Sequence, residues 1–272
     1  METVQTALYL FCFARSNLIG ELEGTGIDGQ HPLSVFRRFP NLCAVLSEVR
    51  SEDFCGGAAE LHMRDRAWLG PRALQHEAVV EEVMRHSPVL PARFGTLFAS
   101  QERLTEFLDR HRAAISQFLE RIADQEEWSV RGLLDRSQAG HALTSASLAA
   151  QEAQLAALPP GARNSREQRN RQAPEEELSL WLHETYRQVA SDLMKSAADF
   201  RECQVMPCER LESGIEVVMN WALLLPRGAT EAFRSRIDQL NATHAPQGLV
   251  FGLSGPLPPY RFVPSLSMGA AP

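Results

Sequence analysis

The stretch Thr6–Ala14, TALYLFCFA, decides the fold class. Within it Tyr9, Phe11 and Phe13 alternate with Leu8, Leu10 and Cys12, so both faces of an extended chain are apolar. A strand apolar on both faces lies inside a sheet and is covered on both sides. The segment is far shorter than the ~20 apolar residues needed to span a bilayer. Glu2, not a basic run, precedes it, unlike a secretory leader. The sequence therefore predicts a buried strand in a cytoplasmic protein.

Outward from this strand, Gly20, Gly24, Gly26 and Gly29 predict a loop over residues 20–31. Asn41–Val49 predicts a second strand, and Ser51–Gly57 a further loop. Pro71 suits the start of a helix with Ala73, His76, Val80, Val83 and Met84 on one face. Val89–Phe98, VLPARFGTLF, contains Pro91 and follows Pro88, so it enters a sheet only at an edge or a strand end. Ser100 is placed to cap the clearest amphipathic helix. Its stripe is Leu104, Phe107, Leu108, His111, Ile115, Phe118, Leu119 and Ile122.

Trp128–Leu134 opens a second unit as a strand, and Ala142–Leu158 follows as an Ala/Leu-rich helix. Residues 159–174 are polar and Arg-rich, a linker or an exposed helical extension. Pro174 and Glu175–Glu177 start another helix, since carboxylates favour the positive end of the helix dipole. Arg201–Met206 and Gly214–Leu225 predict strands, the latter with Ile215, Val217, Met219, Trp221, Leu223 and Leu225 on one face. A helix bearing Phe233, Ile237, Leu240 and His244 precedes a last strand, Gly248–Ser254. The order is a split βαββαβ pattern, ferredoxin-like, with an elaborated first connection. The fold class is α+β. Its domains are 1–125, a mixed α+β sheet domain, and 126–254, the ferredoxin-like domain. An extended proline-rich tail, 255–272, completes the chain.

The chain's 272 residues accommodate two domains. With 44% hydrophobic and 22% charged residues the composition is globular. Lys+Arg of 27 against Asp+Glu of 34 gives a net charge of −7, which speaks against a nucleic-acid binder. The five cysteines, Cys12, Cys43, Cys55, Cys203 and Cys208, read as reduced structural thiols.

No reactive constellation emerges. Lys195 is the only lysine and lies in no GxxxxGK[ST] motif, so the commonest phosphate cradle is missing. Gly24, Gly26 and Gly29 match GxGxxG spacing, but no helix pattern opens there and Pro32 follows. The eight histidines show no HExxH or HxxxH spacing, and His76 and His111 read as hydrogen-bonded core histidines. Ser254–Gly255 superficially resembles a nucleophile turn, but Pro256, Pro258 and Pro259 forbid the helix such an elbow needs. Metal and cofactor sites are accordingly not expected.

Two segments stand out. In the first, Arg93 sits between apolar neighbours, Phe94 among them, and Gly95–Thr96 adds a kink; the bland reading is a strand leaving the core with Arg93 paired locally to an acid. The second, Leu253–Pro264, LSGPLPPYRFVP, has Gly255, Pro256, Pro258 and Pro259 ahead of Tyr260 and Phe262, which alternate on an extended chain. Prolines lower the entropy lost when such a segment docks. It either braces its own domain or docks another chain.

The segments LYLFCF (Leu8–Phe13), HSPVLPARFGTLF (His86–Phe98), Glu126–Arg131 and SGPLPPYRFV (Ser254–Val263) occur in the order seen in the gas vesicle protein F/L family, which the chain resembles over almost its whole length. It departs at Leu257, Ser254 and Arg131, where that family usually has Trp, Thr and Lys. The resemblance implies a minor gas vesicle component or assembly protein without enzymatic activity or cofactor. It further implies a tail lying against the body, and partnership with the hydrophobic main shell protein and other minor gas vesicle proteins, not with nucleic acid or membrane. The alternative function is an enzyme or small-ligand binder on a ferredoxin-like scaffold.

Overall fold

Strand β1 (Thr6–Ala14) pairs on one side with β3 (Leu42–Arg50) and on the other with β4 (Val89–Pro91) and β5 (Leu97–Phe98), all antiparallel. The hairpin partner of β3 is β2 (Leu33–Phe39), which gives the order β2-β3-β1-β4. The structure is a computed structural model in which residues 5–155, 174–205 and 214–266 are described. The chain forms two compact units, Met1–Gln125 with Leu257–Pro272, and Glu126–Pro256.

The register of β1 on β3 shifts between Leu10 and Cys12. One extra residue in a strand reverses which face later side chains occupy. Tyr9, Phe11, Cys12 and Ala14 thus share one core with Cys43, Val45 and Val49. Phe13 instead stacks on Phe107 of the helix on the opposite face. The simple alternation expected from the sequence, with Phe13 beside Phe11, is corrected by this bulge.

Three further expectations change here. Ser51–Gly57 is not a loop: α1 (Ser51–Phe54) and the start of α2 (Gly56–Arg64) occupy it. Pro71 does not open its helix; α3 runs from Arg66 to His86 with Pro71 inside it. The side chain of Asp65 caps α3 by accepting from the Ala67 N–H at 2.9 Å, and Trp68 anchors the first turn against Phe54 and His62. Strand β2, with Arg37 and Arg38 and only half-buried apolar residues, was not signalled by the sequence. By contrast, Val89–Phe98 enters the sheet as two short pieces with β4 at the edge, as its prolines require.

Helix α3 buries His76, Val79, Val80 and Val83 on the Tyr9 face of the sheet. Helix α4 (Gln101–Arg121), capped by Ser100, buries Leu104, Phe107, Leu108, Ile115, Phe118 and Leu119. Its Phe107 meets Phe13 and Phe98. The sequence stripe is reproduced except at His111, which is only half-buried.

The second unit has strand order β7-β8-β6-β9, with β6 (Gln125–Asp135), β7 (Asp199–Glu202), β8 (Ile215–Pro226) and β9 (Leu249–Leu257). Helix α5 (Arg136–Leu155) begins at once after β6, earlier than Ala142, because Asp135 accepts from the Gln138 N–H at 2.9 Å. Helices α6 (Pro174–Met194) and α7 (Thr230–His244) supply Leu178, Val189, Leu193, Phe233, Ile237 and Leu240. These pack with Trp128, Val130, Met219, Trp221, Leu223 and Phe251. Trp221 donates from Nε1 to the Tyr186 hydroxyl at 3.2 Å. Strand β7 starts at Asp199, two residues before the expected Arg201, and residue 206, like residues 159–173 of the Arg-rich stretch, lies outside the described residues.

Leu108 is completely buried. Leu108→Ala leaves a cavity and is expected to lower unfolding stability by about 2–5 kcal/mol. Ser100→Ala at the cap should cost only about 1 kcal/mol. Urea denaturation of the two variants checks this ordering.

Candidate functional site

Tyr9, at the centre of β1, is fully buried yet carries a hydroxyl, so that group must be paired inside the core. It lies 2.9 Å from Nδ1 of His76, and the Gly95 N–H donates to it at 3.3 Å. The other ring nitrogen of His76, Nε2, lies 3.2 Å from the Ala92 carbonyl oxygen. A carbonyl can only accept, so Nε2 carries the proton and Nδ1 accepts from the Tyr9 hydroxyl. With the imidazole neutral, each of these four groups has its partner. Burial holds the His76 pKa down at about 4 and pushes that of Tyr9 up.

The turn between β4 and β5 is keyed into the same place. The Arg93 carbonyl accepts from the Thr96 N–H at 3.1 Å and from its hydroxyl at 2.6 Å. Gly95 has φ of +79°, which a side chain would strain. The Ala92 N–H donates to the Phe11 carbonyl and the Leu10 N–H to the Thr96 carbonyl, both at 2.9 Å. Phe94 meets His76 edge-on at 5.9 Å, while Phe11 stacks on the same imidazole at 5.6 Å. Arg93 itself is exposed at the tip of the turn. Among the described residues no acid lies within ion-pair distance of it, so the expected local pairing does not form.

The tail closes on this cluster. Tyr260–Phe262 forms a 3₁₀ turn, with the Phe262 N–H donating to the Pro259 carbonyl at 3.2 Å. Tyr260 and Phe262 therefore do not alternate along an extended chain as the sequence suggests. The rings of Tyr260 and His76 lie 6.4 Å apart. The buried Tyr260 hydroxyl lies within interaction range of the Glu77 carboxyl without a well-aligned hydrogen bond. Burial, opposed by Tyr260, raises the Glu77 pKa, and burial raises that of Tyr260. Phe262 is 1% exposed, its carbonyl accepts from Arg121 Nη2 at 3.0 Å, and Pro258 and Pro259 are buried.

Gly255 and Pro256 belong to the other unit, because β9 continues to Leu257 instead of ending at Ser254. Pro256 is tolerated because β9 is an edge strand. Gly255 has φ of +150°, and a Cβ there would lie 2.6 Å from Cε3 of Trp128 and 3.0 Å from the Glu127 carbonyl oxygen. On the same indole, Arg234 sits 4.6 Å from the ring centre, and Nε1 donates to Glu126 at 3.3 Å.

Of the residues singled out by sequence, the structure thus gathers Phe94, Gly95 and Tyr260 around His76, and sets Gly255 on Trp128. The sequence marked Tyr9 only as a buried strand residue, and Glu77 not at all. The available signal was His76 itself, a lone polar residue on a valine-rich helix face. Among the described residues, no group of three or more His, Cys, Asp and Glu side chains is arranged to hold a metal ion, and no helix is long and apolar enough to cross a membrane. Cys12, Cys43, Cys55 and Cys203 are free thiols, and burial lifts the Cys43 pKa to about 11; Cys208 lies outside the described residues.

The fold and these braces define a mixed α+β protein of two sheets with helices. The family model described as gas vesicle synthesis protein GvpL/GvpF matches residues 7–264, and the chain belongs to that family. The fold is similar to the crystal structure of gas vesicle protein GvpF from Anabaena sp. PCC7120, with a TM-score of 0.68 and 18% identity, covering 96% of this chain and 97% of that one. It is also similar to GvpF from Microcystis aeruginosa, with a TM-score of 0.65 and 17% identity, covering 97% and 100%. No curated protein sequence matches the chain.

Two outcomes follow. Gly255→Ala forces backbone strain and a clash with Trp128, and should destabilise the protein by about 1–3 kcal/mol in chemical denaturation. The depressed His76 pKa means the unfolded chain binds a proton that the folded chain refuses. Stability from this group is complete above about pH 6.5 and is lost as pH falls towards about 4, on the order of 2–3 kcal/mol. Glu77, with its raised pKa, opposes this by favouring the folded state at low pH. Urea midpoints across this range should fall steeply for the wild type and less steeply for His76→Gln.

Proposed function

We propose that the protein is a gas vesicle assembly factor or minor wall component that binds the hydrophobic main shell protein during nucleation or growth and limits its aggregation. The observation that carries this reading is the match to the gas vesicle synthesis family across residues 7–264. Aliphatic side chains left on the surface, among them Leu61 at 70%, Leu74 at 74% and Leu180 at 71% exposure, are available for contact with apolar shell subunits. Other minor gas vesicle proteins are further partners, and the protein works in the cytoplasm and at the vesicle.

In the same reading the protein is not an enzyme, and its motif residues act as braces. Arg93 at the exposed tip is the motif residue free to touch a partner, and the tail serves its own unit first. The second unit, 126–254, is a modified ferredoxin-like domain. The strand order β7-β8-β6-β9 supports this, placing the unit's strands as second, third, first, fourth. Residues 1–125 form the other domain, and the tail, expected from 255, follows the end of β9 at Leu257.

Co-expression with the main shell protein tests the reading. The shell protein should move into the soluble fraction and be captured with this chain. Normal vesicles by electron microscopy in cells lacking the protein, with unchanged shell-protein solubility, would contradict it. A nucleotide or metal that raises the melting temperature strongly would favour a ligand-binding function instead.

A further inference from the structure

A cleft of about 820 Å³ lies in the first unit between one face of α4 and the end of β1 with the β2–β3 turn. Its helical wall carries Asp109, Arg112, Ser116 and Glu120; half-buried Phe39 and exposed Ala113 give it apolar surface, with Leu42 and Leu119 buried beneath. Arg15 and Arg110 complete the charged lining. Asp109 is taken by Arg38 at 3.6 Å. The guanidinium of Arg112 lies 4.4 Å from the centre of the Phe39 ring, which holds it in place without neutralising it. Among the described residues, no carboxylate lies within ion-pair distance of Arg15, Arg110 or Arg112. Three guanidinium groups without an ion-pair partner among the described residues therefore line one groove, beside the carboxylate of Glu120 and the already paired Asp109, in a chain whose net charge is −7.

We propose that this groove docks an acidic, leucine-bearing segment of a partner protein. Guanidinium groups bind carboxylates in a planar, two-pronged geometry. The apolar surface of Phe39 and Ala113 suits aliphatic side chains placed between those carboxylates. Apolar surface from Phe39 and Ala113 between the guanidinium groups suits a short segment whose carboxylates alternate with apolar side chains, and a continuous polyphosphate backbone has nothing to place there. This surface is chemically distinct from the exposed leucines assigned to shell contact, and the inference stands without that assignment.

The test is fluorescence polarisation with a labelled peptide alternating glutamate and leucine, on the full chain. The peptide should bind, weaken with salt, and lose about tenfold or more in affinity with the double variant Arg110→Glu/Arg112→Glu. Arg103→Glu, elsewhere on α4 and paired with Glu106, should bind normally. If the double variant unfolds, the charge-neutral pair Arg15→Gln/Arg110→Gln gives the same reading, with a smaller but clear loss. Equal binding of a glutamine-for-glutamate peptide, undiminished binding by the variants, or tighter arginine-dependent binding of a short RNA would overturn the proposal. So would self-association abolished by the double variant in sedimentation, since a second copy would then be the occupant.

Discussion

The hydrogen bond from the Tyr9 hydroxyl to His76 is the interaction on which the first unit's arrangement depends. A tyrosine in the middle of an inner strand has no access to water, so the core must contain a partner for it. That partner fixes how α3 lies on the sheet. The remaining bonding capacity of the pair is filled by backbone from the β4–β5 turn, at Ala92 and Gly95. The tail then adds Tyr260 beside the same imidazole and Phe262 in a buried site of its own. Three segments far apart in sequence are thus tied to one neutral histidine on α3.

Much of this was legible in advance, for identifiable reasons. The two-sided apolarity of Leu8–Phe13 announced an inner strand, and the helical stripe from Leu104 to Ile122 announced α4. Prolines confined Val89–Phe98 to an edge. What escaped was set by tertiary contacts. The bulge in β1 that turns Phe13 away from Phe11 leaves no local mark, because every residue there is apolar. The cap at Asp65 starts α3 five residues ahead of Pro71, so that proline sits inside the helix at the cost of one backbone hydrogen bond and does not open it. Strand β2 is amphipathic and arginine-bearing, and it reads like a loop until β3 lies beside it. Of the candidate site, the glycine and proline positions were visible from sequence, but their convergence on His76 and Trp128 was not.

This pattern bears on function. Motif residues whose side chains pack inward are well suited to holding a shape, and less so to presenting a reactive group. Phe94, Gly95, Tyr260 and Phe262 spend their contacts inward, and Gly255 spends its missing side chain on Trp128. In the proposed function, a protein of the gas vesicle synthesis family built in this way offers rigid surfaces to other chains. Its exposed leucines and its arginine-lined groove are chemically different faces of that kind.

The most direct test of the claim that tail and turn are braced on the Tyr9–His76 pair is hydrogen exchange on a chain ending at Leu257, compared with the full chain. The account predicts faster exchange at the backbone N–H groups of Leu10, Ala92 and Gly95, which hold the turn to β1. Unchanged protection at these three positions would contradict it, and would make the tail an accessory to a core that stands without it.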